Sequence, residues 1–306
     1  MLSGFLFIDK PLNLTSSQVV GIVKKQLKGL TNKVGHGGTL DPLATGVLPI
    51  ALGEATKIVD YVLNANKTYD FSITFGSTTD SLDAEGIVIA TTENIPTKDD
   101  ILRALPKFIG KIMQKPPIFS AIKVDGKRAY DLARQNRDLD VENIIDIDIK
   151  FREIEIFELE LLDFVSNIAT LRAKVSKGTY IRTLAQDIAL QVNSLGFVSY
   201  LRRVKIDTAI ENKKEIVLIS ADLLYNIKEC LNTALISLED MLDDILAYNL
   251  NIKQVQLLLN GNISLLQVDN SLIKGVYKAM YNNKVIALLN FNNTWSIIRV
   301  FNYQFN

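Results

Sequence analysis

The chain has 306 residues, enough to bury a core in one large domain or in a large domain with a small one. Its 34 basic and 34 acidic residues cancel, so any affinity for nucleic acid has to come from local clusters of charge. One cysteine, Cys230, excludes an intramolecular disulfide and a multi-cysteine zinc site, and one histidine, His36, excludes a histidine-rich metal centre.

The opening MLSGFLFIDKPLN has too short an apolar run and no basic leader for a signal peptide. No window approaches the ~20 apolar residues of a membrane helix, so a soluble cytoplasmic protein is expected. Gly4 to Lys10 reads as a strand ending at Pro11. Ser16 and Ser17 offer an N-cap for a helix carrying Val19, Val20, Val23 and Leu27 at helical spacing, with Gly29 as its stop. Residues 1–36 hold five lysines (10, 24, 25, 28, 33) against one acid, Asp9, which by pattern alone is a solvated helix face.

The stretch GHGGTLDPLATGVLP, residues 35–49, is too rich in glycine and proline for an ordinary helix or strand. It is also too apolar for a solvated linker, because Leu40, Leu43, Val47 and Leu48 favour burial. A rigid, partly buried loop with one acid, Asp41, can present a nucleophile; a packed turn using Asp41 as a cap fits the same residues.

A helix is expected over Glu54–Leu63, then a strand at Thr68–Phe75 in which Tyr69, Phe71, Ile73 and Phe75 share the apolar side. Period alone makes Tyr69 a core tyrosine. Thr97-x-x-Asp100 reads as a capping box before a helix to about Ile109. From 107 to 137 there are eight basic residues (107, 111, 115, 123, 127, 128, 134, 137) and two acids (125, 131), interleaved with Pro116, Pro117, Phe119 and Tyr130. Such a surface suits RNA phosphates and stacked bases. The sign then reverses: 138–163 carries ten acids and two bases, and Ile145–Ile149 and Glu153–Ile156 alternate as half-buried strands with an acidic outer face.

Leu171 to Lys177 alternates as a strand, turns at Gly178 and leads into a helix that stops at Gly196. Arg182 near that helix's start opposes the helix dipole, which suggests a partner for it. Helices are expected at Ser220–Leu231, Ser237–Leu246 and Asn251–Asn260, followed by strands at Ile263–Val268, Gly275–Tyr281, Lys284–Phe291 and Trp295–Phe301.

Read as a whole, GHGGTLDPLATGVLP resembles the catalytic segment of the TruB family of bacterial tRNA pseudouridine synthases. Further segments fit the likeness: Asp9-Lys10-Pro11 to Ser16, with Asn13 where the family has glycine; Lys67-Thr68-Tyr69; the turn Gly76–Gly86, with Ser81 in place of threonine; KGTYIR at 177–182; and Leu201-Arg202-Arg203. The usual continuation after LRR contains glycine, whereas this chain runs Val204 to Ala209 without one.

The resemblance implies an α+β pseudouridine synthase fold: a mixed, mostly antiparallel sheet flanked by helices, with a small β-rich, PUA-like domain at the C-terminus. It divides the chain into a catalytic domain at 1–245, with an RNA-clamping insertion at about 107–140, and the small domain at 246–306. The implied activity is isomerisation of uridine to pseudouridine at position 55 in the T-loop of tRNA, by a monomer that needs no cofactor or metal. In that reading Asp41 is the nucleophile, Arg182 pairs with it, and Tyr69 stacks on the target base. Tyr180, Leu201, Lys67 and His36 would bind substrate, although a lone histidine hydrogen-bonded in its loop explains His36 as well. The uridine must be extruded into an enclosed pocket. The alternative is a non-catalytic tRNA-binding or RNA-folding protein with a vestigial site.

Overall fold

A computed structural model describes residues 1–120, 149–208, 216–266 and 272–302, together with the backbone of 123–124 and 127–128. The remainder of the basic 107–140 segment and the Ile145–Asp148 alternation lie outside the described residues.

The elements run β1 (Gly4–Lys10), α1 (Ser16–Gln26), β2 (Val34–His36), β3 (Ala44–Leu52), α2 (Val59–Asn64), β4 (Lys67–Phe75), β5 (Ser77–Thr79), β6 (Val88–Thr91), α3 (Lys98–Ala104) and β7 (Gly110–Gln114). After the short pair β8 (Lys123–Val124) and β9 (Lys127–Arg128) come β10 (Arg152–Val165), β11 (Ile168–Val175), α4 (Ile181–Gln191), β12 (Gly196–Ile206) and β13 (Leu218–Ile219). The chain closes with α5 (Ile227–Ala234), α6 (Leu238–Met241), β14 (Leu246–Asn249), α7 (Ile252–Leu259), β15 (Gly275–Tyr281), β16 (Lys284–Phe291) and β17 (Trp295–Val300).

The architecture is α+β. Nine strands form one mixed sheet in the order β13-β1-β3-β12-β4-β11-β10-β7, with β2 paired to β3 off that path. Within this sheet, among the described residues, only β1–β13 and β3–β12 pair parallel. Four strands, β14-β15-β16-β17, make the separate C-terminal sheet. Its own core gathers around Trp295, which is packed by Tyr248, Tyr277 and Phe291.

Burial explains why the strands read as they do. Phe5, Leu6, Phe7 and Ile8 are all essentially inaccessible, because β1 is covered on both faces. Leu6 and Ile8 face the main core with α1 and α4. Phe5 and Phe7 face a second core that also contains Val62 of α2, Leu288 of β16 and Phe301, so the small sheet is packed directly against the large one. Further along, β4 is covered on one face only, which is why Phe71, Ile73 and Phe75 alternate with Asp70, Ser72 and Thr74.

Several local expectations change. The cap of α1 is Thr15, whose hydroxyl accepts from Gln18 N in a full capping box; Ser16 and Ser17 lie inside the helix. The 35–49 stretch is irregular only in its middle, since its two ends enter β2 and β3. Gly46 is tolerated in a strand because β3 lies so close to β12 that a Cβ there would run into the Arg203 carbonyl, and its φ is +100°. The helix expected over 54–63 is a 3-10 turn at Gly53–Ile58 followed by α2. That expected over 220–231 likewise breaks at Asn226, between a 3-10 turn and α5. The Ser237 cap is present but α6 ends at Met241, and Leu246 opens a strand. Ile263–Leu265 is a 3-10 turn where a strand was expected. Asn13, standing where glycine was expected, takes the left-handed conformation with φ +67°. No helix among the described residues is long and apolar enough to cross a membrane.

Candidate active site

One face of the central sheet carries a cavity of about 480 Å³. Arg203 of β12 and Tyr69 of β4 line it and pair with each other; Arg203 also pairs with Gly46 of β3, and Lys10 of β1 pairs with Gly46 beyond, outside the cavity lining. The walls come from the 38–41 loop, from Phe119 and Ser120, and from the turn at Ser176–Arg182.

Asp41 sits at the edge of this cavity, its side chain about one-third exposed. Arg182, near the start of α4, places its Nε 3.1 Å from Asp41 Oδ2. The same guanidinium reaches Asp83 Oδ2 at 3.3 Å and donates to the carbonyls of Ser81 at 2.9 Å and Phe119 at 2.8 Å. A cation that the helix dipole disfavours is thus held by two carboxylates and two carbonyls. Because these partners come from three distant segments, Arg182 is fixed in place with its side chain almost wholly buried.

Asp83, inside the Gly76–Gly86 turn, is a second carboxylate on Arg182 that the sequence pattern does not mark. Burial raises the pKa of its carboxyl above the usual range, while the Ser81 hydroxyl, donating to Oδ1 at 2.6 Å, and the Arg182 charge pull the other way. The carboxyl of Glu85 nearby is raised as well, by burial first and then by the charge of Asp83.

Main-chain groups around Asp41 are held by side chains from elsewhere. Arg203, 1% exposed, donates to Val47 O at 2.7 Å, Gly38 O at 3.1 Å and Thr39 O at 3.5 Å. The buried Lys10 ammonium donates to Pro11 O at 2.9 Å and Pro42 O at 3.3 Å, and the left-handed Asn13 gives its own N–H to Pro42 O at 2.9 Å. Burial lowers the Lys10 pKa to about 8, with the Asp41 charge the largest opposing influence. By sequence pattern Lys10 counts among the solvated lysines of 1–36, and Arg203 has no role of its own within the Leu201-Arg202-Arg203 segment.

Of the expected substrate-binding residues, Tyr69, Tyr180, Leu201 and Lys67 all line the cavity. Tyr180 is oriented by a reciprocal pair with Gln114: its N–H donates to Oε1 at 2.8 Å and its carbonyl accepts from Nε2 at 3.1 Å. Burial pushes its phenol up. Lys67 is less available than its position suggests. Its ammonium is spent on the carbonyls of Val62, Leu63 and Ala65 at the end of α2, at 3.0, 2.6 and 2.6 Å, and burial lowers its pKa to about 8.

His36 does not line this cavity. It belongs to β2 and to a neighbouring groove shared with Lys24 and Lys33. Its Nδ1 is buried without a hydrogen-bond partner among the described residues, and burial, then the Arg203 charge, lowers its pKa. The described residues contain no cluster of histidine, cysteine and acidic side chains arranged to hold a metal.

The arrangement can bind a flat ring against Tyr69, Tyr180 and Leu201 while presenting one oriented carboxylate to it. Comparison with known proteins places the chain in a family. The family model for the N-terminal domain of TruB family pseudouridylate synthases matches residues 24–181. A tRNA pseudouridine synthase B of Zymomonas mobilis is 42% identical across 99% of this chain and 97% of its own length. One from Rickettsia bellii is 41% identical across 99% of both chains. Among solved structures, a chain of a Cbf5-Nop10-Gar1 complex superposes with a TM-score of 0.66 at 23% identity, covering 98% of this chain and 84% of that one, which speaks to the fold alone.

Proposed function

The chain belongs to the TruB family of pseudouridylate synthases and isomerises uridine to pseudouridine in tRNA; from this we propose that its target is position 55 of the T-loop and that Asp41 is the nucleophile. The observation that carries the site assignment is the Arg182–Asp41 contact of 3.1 Å at the mouth of an aromatic-lined cavity.

The isomerisation breaks the bond between ribose C1′ and N1 of the uracil, turns the ring while it remains held, and joins C1′ to C5. The C5 hydrogen leaves to solvent and N1 gains one. Three demands follow: a carboxylate fixed beside the sugar, walls that keep the detached ring from escaping, and exclusion of bulk water. Arg182 and the braced loop support the first. Tyr69, Tyr180 and Leu201 support the second, with Tyr69 stacking on the everted base. Phe119 and the turn before α4, which line the cavity, support the third. Lys67 serves by anchoring α2 to β4 at the cavity wall, and His36 meets the RNA beside the cavity.

The reading assigns catalysis to 1–245 and a PUA-like RNA-contacting role to 246–306, the latter supported by its separate sheet and core. It also makes the protein a cytoplasmic monomer whose partner is the tRNA T stem-loop, gripped in part by the basic stretch beginning at Lys107.

Release of tritium from tRNA carrying 5-tritiated uridine tests this. Wild-type protein should release label from position 55, and Asp41→Asn should release none while binding tRNA within about twofold of wild type. Equal release by the variant would refute the nucleophile; binding without release by wild type would favour the vestigial alternative.

A further inference from the structure

Two adjacent residues at the start of α1 both carry hydroxyls, and the two do unrelated work. Thr15 caps the helix through Gln18 N at 3.1 Å. Ser16, only 2% exposed, turns away from its own helix. Its Oγ accepts from Leu40 N–H at 2.8 Å and donates to Leu40 C=O at 3.0 Å.

Leu40 immediately precedes Asp41 and is itself 4% exposed. Residues 38–43 belong to no strand, so their polar groups have no ladder to complete, and buried main-chain groups must find partners elsewhere. On one side Arg203 takes the Gly38 and Thr39 carbonyls; on the other Lys10 and Asn13 take that of Pro42. Between them, both polar groups of Leu40 are satisfied by one hydroxyl from a helix 24 residues earlier.

We propose that Ser16 is a positioning residue for the pseudouridylation reaction: by fixing the Leu40 peptide it sets the direction in which Asp41 leaves the loop. The inference rests on Asp41 being the nucleophile. Without the hydroxyl, a buried N–H and C=O lose their partner together, and the Leu40–Asp41 peptide is free to turn toward other acceptors or water. The Asp41 carboxylate then spends less time facing Arg182 and the ribose. Misplacement on the scale of 1 Å from outside the chemistry costs on the order of 10²-fold in rate.

The test is single-turnover tritium release at saturating tRNA, alongside tRNA affinity and melting temperature, for wild type, Thr15→Ala, Ser16→Ala and Ser16→Cys. Ser16→Ala should be slower by about ten- to a hundredfold with affinity within about twofold of wild type. Ser16→Cys, close in size but a weaker donor and acceptor, should fall between. Thr15→Ala should lower the melting temperature, because the cap is lost, and leave the rate unchanged. A purely structural role for Ser16 would move melting temperature alone and leave the rate of folded protein intact. Ser16→Ala within twofold of wild type overturns the inference; should that variant not fold, Ser16→Cys within twofold of wild type does so. A wild type that releases no tritium overturns the functional reading and this inference with it, whereas an active wild type with an equally active Ser16→Ala overturns this inference alone.

Discussion

Lys10, Arg203 and Tyr69 face one side of the central sheet, while their immediate neighbours Asp9, Arg202 and Asp70 face the other, and the two rows obey different electrostatics. On the cavity side the cations are sealed, with Lys10 0% and Arg203 1% exposed, and their hydrogen bonds run to backbone carbonyls, among them those of Gly38, Thr39 and Pro42 in the Asp41 loop. On the far side Arg202 forms a two-pronged pair with Asp9 at 2.9 and 2.8 Å, and Arg172 does the same with Asp70 at 2.6 and 2.8 Å. Asp70 lies opposite Arg202 and Glu160 opposite Arg172, so charges of alternating sign cross from β1 to β10. The contrast teaches what each charge is for. Sealed cations complete a loop that no strand can complete, whereas the far ladder matches partly exposed charges, whose pairing solvent screens and which contribute little.

The largest expected effect follows from removing a sealed cation. Arg203→Met removes the donor to three part-buried carbonyls, those of Val47 and Gly38 held at 2.7 and 3.1 Å and that of the exposed Thr39 only at 3.5 Å, and an acceptor orphaned in a buried site costs about 1–3 kcal/mol. We expect stability to fall by about 3 kcal/mol or more, read from the urea midpoint at neutral pH. A loss below about 1 kcal/mol would put Arg203 on the same footing as the far row and break the comparison.

A smaller effect separates the rows by pH. Lys10 and Lys67 titrate near pH 8 in the folded protein, lowered by burial from 10.5. Below pH 8 they are protonated in both states and their burial penalty is present in full. Between about 8 and 10.5 the unfolded chain holds protons that the folded protein has shed, so stability from these groups rises with pH. Urea unfolding at several pH values across that window should show wild type gaining on Lys67→Met, with no such trend for Asp9→Asn. A constant gap between wild type and Lys67→Met would contradict the sealed environment.

This contrast also marks how far the residues could be read in advance. The elements with clear period were legible: β1 from its unbroken apolar run, β4 from strict alternation, α3 from its Thr97–Asp100 box. Arg182 announced a partner because a cation at a helix start lacks a local one. Period and propensity say nothing, however, about which strands meet. The parallel pairing of β3 with β12 joins segments about 150 residues apart, and it is this pairing that brings Arg203 to the loop. A lysine with a buried head is also indistinguishable, by letter, from one in solvent; Lys10 was counted with Lys24 and Lys28 among surface charges. The letters at Thr15 and Ser16 fit a cap equally well, and only the contact with Leu40 tells the two apart.

The smallest effect is the most diagnostic of the far row. Asp9 and Arg202 have side chains 28% and 31% exposed, enough for solvent to screen their attraction. Their two-pronged geometry is good, and Arg202 also reaches Thr45 Oγ1 at 3.4 Å, so some stabilisation should survive. Asp9→Asn keeps the shape and removes only charge; about 1 kcal/mol or less should be lost. Raising salt from about 0.1 M to about 1 M shortens the screening length from about 10 Å to about 3 Å. The Asp9→Asn deficit should therefore shrink with salt while the Arg203→Met deficit stays put, because carbonyl partners in a sealed site have no ions to compete with. If both deficits fell together, the cavity row would be open to solvent, and the rigidity of the Asp41 loop would need another source.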